Sequence, residues 1–164
     1  MSGVDFYFDF SSPFAYLGSE QIEAVASRAG ADLTWKPMFL GGVFKAVGTP
    51  MVPLFELSKQ KQQYLSKDMQ RWASWREAPF QWPSRFPMNT IAALRLTLAS
   101  DNDAGLIHAI FRAYWADDRD INDATVLTEC LQLAGLDTSL LQRTADPVIK
   151  EQLKTATSDA VEAG

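Results

Sequence analysis

Only two stretches of this chain read as strands, and they stand at its beginning with one helix between them. Residues 4–10, Val-Asp-Phe-Tyr-Phe-Asp-Phe, alternate strictly, with Val4, Phe6, Phe8 and Phe10 on one side and Asp5, Tyr7 and Asp9 on the other. Ser11 or Ser12 then serves as an N-cap and Pro13 as the first helical residue. Gly18, Ile22, Val25 and Ala29 line one face of that helix, and Gly30 stops it. Leu33–Lys36 is the second strand. A crossover of this length makes the two strands parallel and the connection right-handed. Two short strands are a small sheet for a chain this long, and at least one edge of the first is left bare. Further strands must come from outside the 164 residues or from a partner.

The remainder is helical after a loop rich in Pro and Gly at 37–53, which is long enough to be functional or to hide a short helix. Residues 54–76 form a long amphipathic stretch. Pro79, Trp82, Pro83, Phe86 and Pro87 mark an irregular aromatic segment. Asn89 caps a helix near 90–99 that is apolar nearly all round and hence buried. Helices follow at 103–116, after Asp123, briefly around Leu140 and Leu141, and after Asp146-Pro147. The last carries the stripe Ile149, Leu153, Ala156 and Ala160. The expected division is therefore a strand–helix–strand unit plus loop at 1–53, a helical insertion at 54–145 and a returning helix at 146–164.

The net charge of −5 and the lack of any Lys/Arg cluster argue against a nucleic-acid footprint. No apolar run is long enough to span a bilayer, and the chain enters its strand pattern at once, so an untargeted cytoplasmic protein is expected. One cysteine, Cys130, excludes an intramolecular disulfide and the Cys-rich zinc signatures. It sits inside an apolar stripe, the place of an inert core thiol. His108 has no second histidine near it and no carboxylate placed to match, so no metal is expected.

The turn Ser12-Pro13-Phe14-Ala15 carries the chemistry. Thioredoxin-type enzymes place a reactive Cys between a strand and a helix, where the helix N-terminus stabilises a thiolate. Here Ser12 and Ala15 stand at the two Cys positions of a C-P-x-C motif, which removes disulfide exchange. The place suits a thiolate and the chain brings none, so a sulfur from outside, with glutathione the foremost candidate, is expected at Ser12.

The runs F-Y-F-D-F-S-S-P-F-A-Y-L-G, P-M-F-L-G-G-V-F-K-A-V-G, Y-L-S-K-D-M-Q-R-W, F-P-M-N-T-I-A-A-L-R and Y-W-A-D-D-R-D-I-N-D together resemble the 2-hydroxychromene-2-carboxylate isomerases. That family stands with the kappa-class glutathione transferases. The resemblance covers essentially the whole chain in order. It implies an α/β, thioredoxin-like (DsbA-like) fold with a large helical insertion, a glutathione cofactor and a homodimer. It further implies a cis–trans isomerase acting on a small aromatic carboxylate, by reversible thiolate addition that converts 2-hydroxychromene-2-carboxylate to trans-o-hydroxybenzylidenepyruvate or a related intermediate. In the family a Val-Pro turn, two antiparallel strands and a closing helix come next, so the resemblance implies that the C-terminal strands of the sheet are absent from this chain.

The resemblance makes Ser12 the glutathione-activating residue and puts Lys61, Thr49 and Asp68 near the cofactor, Thr49 standing where the family commonly has Asn. Residue type and place suggest Phe39, Phe44, Trp82, Phe86 and Trp115 as walls of a flat aromatic pocket, with Lys45 or Arg85 meeting the substrate carboxylate. Blander roles stand beside these. Ser12 can be a plain helix cap, Lys61 and Asp68 exposed charges on an amphipathic helix, and Trp115, like Phe111, a core residue. Two other functions also remain: a kappa-like transferase that leaves the thioether in place, and a non-catalytic thioredoxin-like interaction module.

Overall fold

The computed structural model describes residues 2–164. β1 (Gly3–Phe8) and β2 (Asp32–Pro37) pair in parallel, with Phe6 beside Trp35 and Phe8 beside Pro37. Helix α1 (Pro13–Ala29) makes the crossover. These are the only strands among the described residues, so β1 has its second edge open.

The strand alternation works as the spacing predicts at its aromatic side. Phe8 and Phe10 are fully buried and meet Phe111, while Phe6 and Phe8 both pack edge-on against Trp35. Two expectations change here. Asp9, read as facing away from the aromatic side, lies beyond the end of β1 and is 1% exposed. On α1 the buried positions are Pro13, Tyr16, Ser19 and Ala26; of the expected face, Gly18 lies against the Phe6 ring and Ile22 packs on the core, whereas Val25 is 43% exposed. The helix carries two apolar stripes, and periodicity alone does not say which one meets the core.

Residues 37–53 are not a plain loop: Leu40–Val47 is helix α2, closed by Gly48 in the left-handed region. Its two glycines permit a close approach. A Cβ on Gly42 would stand 3.0 Å from Thr157 Cγ2, and one on Gly41 would meet the Phe39 ring at 2.8 Å. The Phe39 N–H donates to Thr157 Oγ1 at 3.0 Å, so α2 is fastened to the last helix, α7 (Pro147–Glu162). The long amphipathic stretch begins later than its pattern suggests. Pro53–Glu56 is a 3₁₀ turn, and α3 (Lys59–Trp75) starts from a Ser58 cap.

Helices α4 (Ile91–Ala99), α5 (Ala104–Trp115) and α6 (Ala124–Leu133) form the body, and a 3₁₀ segment, Thr138–Ala145, leads to α7. Asp103, Asp123 and Asp146 cap their helices through side-chain oxygens. Thr90 holds the cap position of α4, and Asn89 Oδ1 accepts the Ile91 N–H just inside it. No helix among the described residues is long and apolar enough to cross a membrane.

Candidate functional site

The strand-to-helix turn is tied down from several directions. Ser12 caps α1 with extended backbone, its Oγ accepting the Ala15 N–H at 3.2 Å, and Pro13 opens the helix. Just before it, Asp9 Oδ1 accepts both the backbone N–H of Ser11 at 2.9 Å and its hydroxyl at 3.0 Å. Asp9 Oδ2 accepts the Leu40 N–H at 2.8 Å, at the first residue of α2, and the Thr90 hydroxyl also donates to this carboxyl. Burial pushes the Asp9 carboxyl above its ordinary value, and these four hydrogen bonds oppose the shift. The positive end of α2 is thus already complemented from inside the protein.

Ser12 opens on a cavity of about 360 Å³. Ser11 and Ser12 form its polar corner; Phe44, Trp82 and Phe86 are among its walls. No charged side chain lines it. A second cavity of about 330 Å³ adjoins it, sharing Ser11, Leu40, Phe44, Met51 and Pro87, and it is here that Phe39 lies.

The aromatic wall comes from the Pro-broken segment, which has no regular structure yet is held along its length. Gln81 N–H donates to Trp115 O at 2.8 Å, Ser84 N–H to Asp118 Oδ1 at 2.8 Å and Met88 N–H to the Tyr114 hydroxyl at 3.1 Å. The Tyr16 hydroxyl donates to Pro79 O. Burial pushes the phenols of Tyr16 and Tyr114 up to about 12, so both stay neutral donors or acceptors. Ser84's N–H and hydroxyl hold the exposed Asp118 carboxyl below its usual value, with a smaller contribution from the Arg85 charge.

The structure places the remaining sequence-derived candidates elsewhere. Trp115 is fully buried behind the wall, 5.8 Å from the Trp82 ring and 6.1 Å from that of Phe86, and its Nε1–H donates to Phe10 O at 2.8 Å. Lys45 and Arg85 are exposed and outside both cavities. Thr49 is half-buried, its N–H donating to Phe44 O at 2.9 Å as α2 ends. Lys61 is exposed on α3, with Nζ 4.9 Å above the Tyr64 ring. Asp68 lines a neighbouring groove between α1 and α3, together with Val25, Trp72 and Arg76, which shares Phe14 and Met69 with the Ser12 cavity. Neither α3 candidate lines the Ser12 cavity, and Asp68 stands in the groove beside it.

Sequence reasoning passed over Met51, Leu54, Leu65 and Met69, which are among the cavity's walls, and Asp9, which holds Ser11 at its corner. A run of apolar residues in a Pro-rich connection, with no core helix to serve, was the available signal for Met51 and Leu54. Elsewhere, Cys130 is buried and its thiol is pushed by desolvation up to about 11. His108 does have a carboxylate partner, Glu23 at 3.0 Å across α1 and α5. No group of three His, Cys, Asp or Glu side chains able to hold a metal ion occurs among the described residues.

The DSBA-like thioredoxin domain family matches residues 3–164. The 2-hydroxychromene-2-carboxylate isomerase of Sphingobium xenophagum is 27% identical over 98% of this chain and 83% of its own length. Glutathione s-transferase kappa 2 of Caenorhabditis elegans is 32% identical over 68% of this chain and 52% of its own. This chain likewise spans only about half of two Pseudomonas proteins that share the Sphingobium protein's name, 54% and 56%. Among solved structures, that of a 2-hydroxychromene-2-carboxylate isomerase superposes with a TM-score of 0.84 at 26% identity, covering 98% of this chain and 79% of the other.

Proposed function

The chain belongs to the DSBA-like thioredoxin domain family, and from that premise we propose that it works as an enzyme of the isomerase or glutathione-transferase kind rather than in disulfide exchange. The finer reading is a glutathione-dependent cis–trans isomerase of 2-hydroxychromene-2-carboxylate or a related small aromatic carboxylate. One observation carries it. The position that holds a reactive cysteine in thiol–disulfide enzymes is here Ser12, and it faces an apolar cavity whose walls include two aromatic rings of one segment. The single cysteine of the chain, Cys130, is buried in the core at another place.

The residues present fit the sulfur end of glutathione. Ser12 Oγ takes the Ala15 N–H with one lone pair, and no acceptor among the described residues takes its proton, which is therefore free to donate to a thiolate. When bound, glutathione supplies a nucleophilic sulfur that adds to a conjugated double bond and leaves again. Ser12 and the first turn of α1 favour the charged form of that sulfur. Phe44, Trp82 and Phe86 exclude water and offer flat faces to an aromatic ring, which fixes its distance from Ser12. No charged residue lines the cavity, so the anionic groups of cofactor and substrate must lie towards its mouth.

The same site supports a second reading, a kappa-like transferase, favoured by the 32% identity to the nematode protein of that name. Glutathione is regenerated in the first and consumed in the second, so product analysis separates them. The test common to both is the ultraviolet thiolate band of glutathione titrated with the wild-type protein and with Ser12→Ala. A band at neutral pH that falls in the variant, with turnover reduced by ~10-fold or more, is expected. Equal bands and equal turnover would remove Ser12 from the mechanism.

A further inference from the structure

Two serines stand side by side at the corner of the cavity, and the fold gives them opposite polarity. A hydroxyl has one proton and two lone pairs. Ser12 spends a lone pair on the Ala15 N–H and keeps its proton free. Ser11 spends its proton on Asp9 Oδ1, 3.0 Å away, and has only lone pairs left for the cavities it lines. Asp9 cannot readily release that proton to another direction. It is 1% exposed and is held at both oxygens by Ser11, Leu40 and Thr90, all of them donors.

Ser11 also stands where the two cavities meet, since it lines both. The second is walled by Phe39, Met88 and Ile91. A ring seated against Trp82 and Phe86 beside Ser12 therefore has Ser11 at its flank.

We propose that Ser11, with its proton held by Asp9, is a specificity-determining acceptor for a hydroxyl group on an aromatic ligand, at the junction of the two cavities. Asp9 is the positioning residue for it. This rests on the reading of the Ser12 cavity as the ligand site. An incoming thiolate meets repulsion at Ser11 and a donor at Ser12, so the adjacent serines sort sulfur from hydroxyl. A ligand whose hydroxyl is methylated brings lone pairs to lone pairs and loses the bond.

The experiment is a titration by isothermal calorimetry with 2-hydroxycinnamate and with 2-methoxycinnamate, on the wild-type protein, Ser11→Ala, Ser11→Thr and Asp9→Asn. The wild type is expected to prefer the hydroxy compound by about 10-fold, the worth of one hydrogen bond. Ser11→Ala removes that preference by weakening the hydroxy compound alone, and Ser11→Thr, which keeps the hydroxyl, restores it. Asp9→Asn lowers the preference, and its fold is checked by circular dichroism; if it does not fold, the two Ser11 variants still decide. Ser12→Ala keeps the preference while losing the glutathione thiolate band, which separates this inference from the reading it rests on. Equal affinity of the two probes for the wild type, or equal loss of both in Ser11→Ala, overturns the role of Ser11 and leaves the Ser12 reading standing. Failure of the hydroxy compound to bind the wild type overturns both.

Discussion

The Ser11–Ser12 turn and helix α3 differ in how firmly the fold commits them. At the turn, Asp9 gathers two backbone N–H groups and two hydroxyls from three elements, and Ser12 closes the first turn of α1. On α3, of the two side chains that the resemblance nominates, Lys61 is exposed and rests over Tyr64 while Asp68 is half-buried in a groove; their neighbours Trp72 and Trp75 are 47% and 67% exposed beside Arg76. Residues built into the turn have little freedom to be anything but site or scaffold. Residues on α3 keep the freedom of a solvated face, and their part in binding has to be supplied by a ligand. The comparison teaches that the Ser12 turn is preorganised by this chain while the charged side chains of α3 are not.

Deepest in the preorganised region is Trp115, whose removal is the strongest way to break the comparison. It is fully buried, stacks on Phe80 at 5.8 Å and backs both wall rings. Trp115→Ala is expected to cost about 3–5 kcal/mol, read as a lower urea midpoint, because a cavity opens and Phe10 O loses its donor. A cost near that of an exposed substitution would show that the wall is not held from behind. Next in size is Gly42→Ala, which presses a methyl against Thr157 and the Phe39 ring at 3.0 and 3.3 Å. About 1–3 kcal/mol is expected from overpacking, and ligand affinity should fall with it because α2 carries Phe44. Loss of stability with affinity intact would separate α2 from the site.

How much of this was legible follows the range of the interactions involved. The two strands, the Ser12 and Asp123 caps and the stop at Gly30 are set by neighbours within a few residues, and periodicity and capping chemistry find them. Helix α2 was hidden because Gly41 and Gly42 have poor helix propensity. The value of Gly42 lies in the approach to α7 more than a hundred residues away, which no local pattern reports, and that of Gly41 in its contact with Phe39 and Met51. Asp9 looked like the outward member of an alternating strand because alternation carries no information about where the strand ends. The cavity draws on residues 12, 44, 51, 65 and 82; Ser12, Phe44 and the aromatic segment with its prolines stood out beforehand, and Met51 and Leu65 did not. Nothing local told the core stripe of α1 from the one bearing Val25. The resemblance, which spans the chain, conveyed the thioredoxin-like fold that spacing alone left as two strands with a bare edge.

The buried carboxyl sharpens the comparison through pH. Burial raises the Asp9 value above that in the unfolded chain, so the folded state holds its proton to higher pH. A group raised in this way contributes its full stability below the unfolded value of about 3.9, and loses it as pH rises through the folded one. Melting temperatures taken from pH 4 upwards should therefore fall in the wild type more than in Asp9→Asn, which has no proton to lose. Parallel curves would mean that the four hydrogen bonds offset the burial.

The smallest effect is expected on α3, and it tests the other half of the contrast. Lys61 is exposed, and its contact with the Tyr64 ring is of a kind worth less than about 1 kcal/mol at a surface. Lys61→Ala should leave the melting curve almost unchanged. If the side chain is recruited by a carboxylate of glutathione, the variant weakens glutathione binding, and the loss shrinks as salt is raised, because an exposed ion pair is screened within about 10 Å at 0.1 M. An affinity unchanged at low salt would leave α3 as a solvated face and confine the chemistry of this chain to the turn, the two cavities and the aromatic segment that walls them.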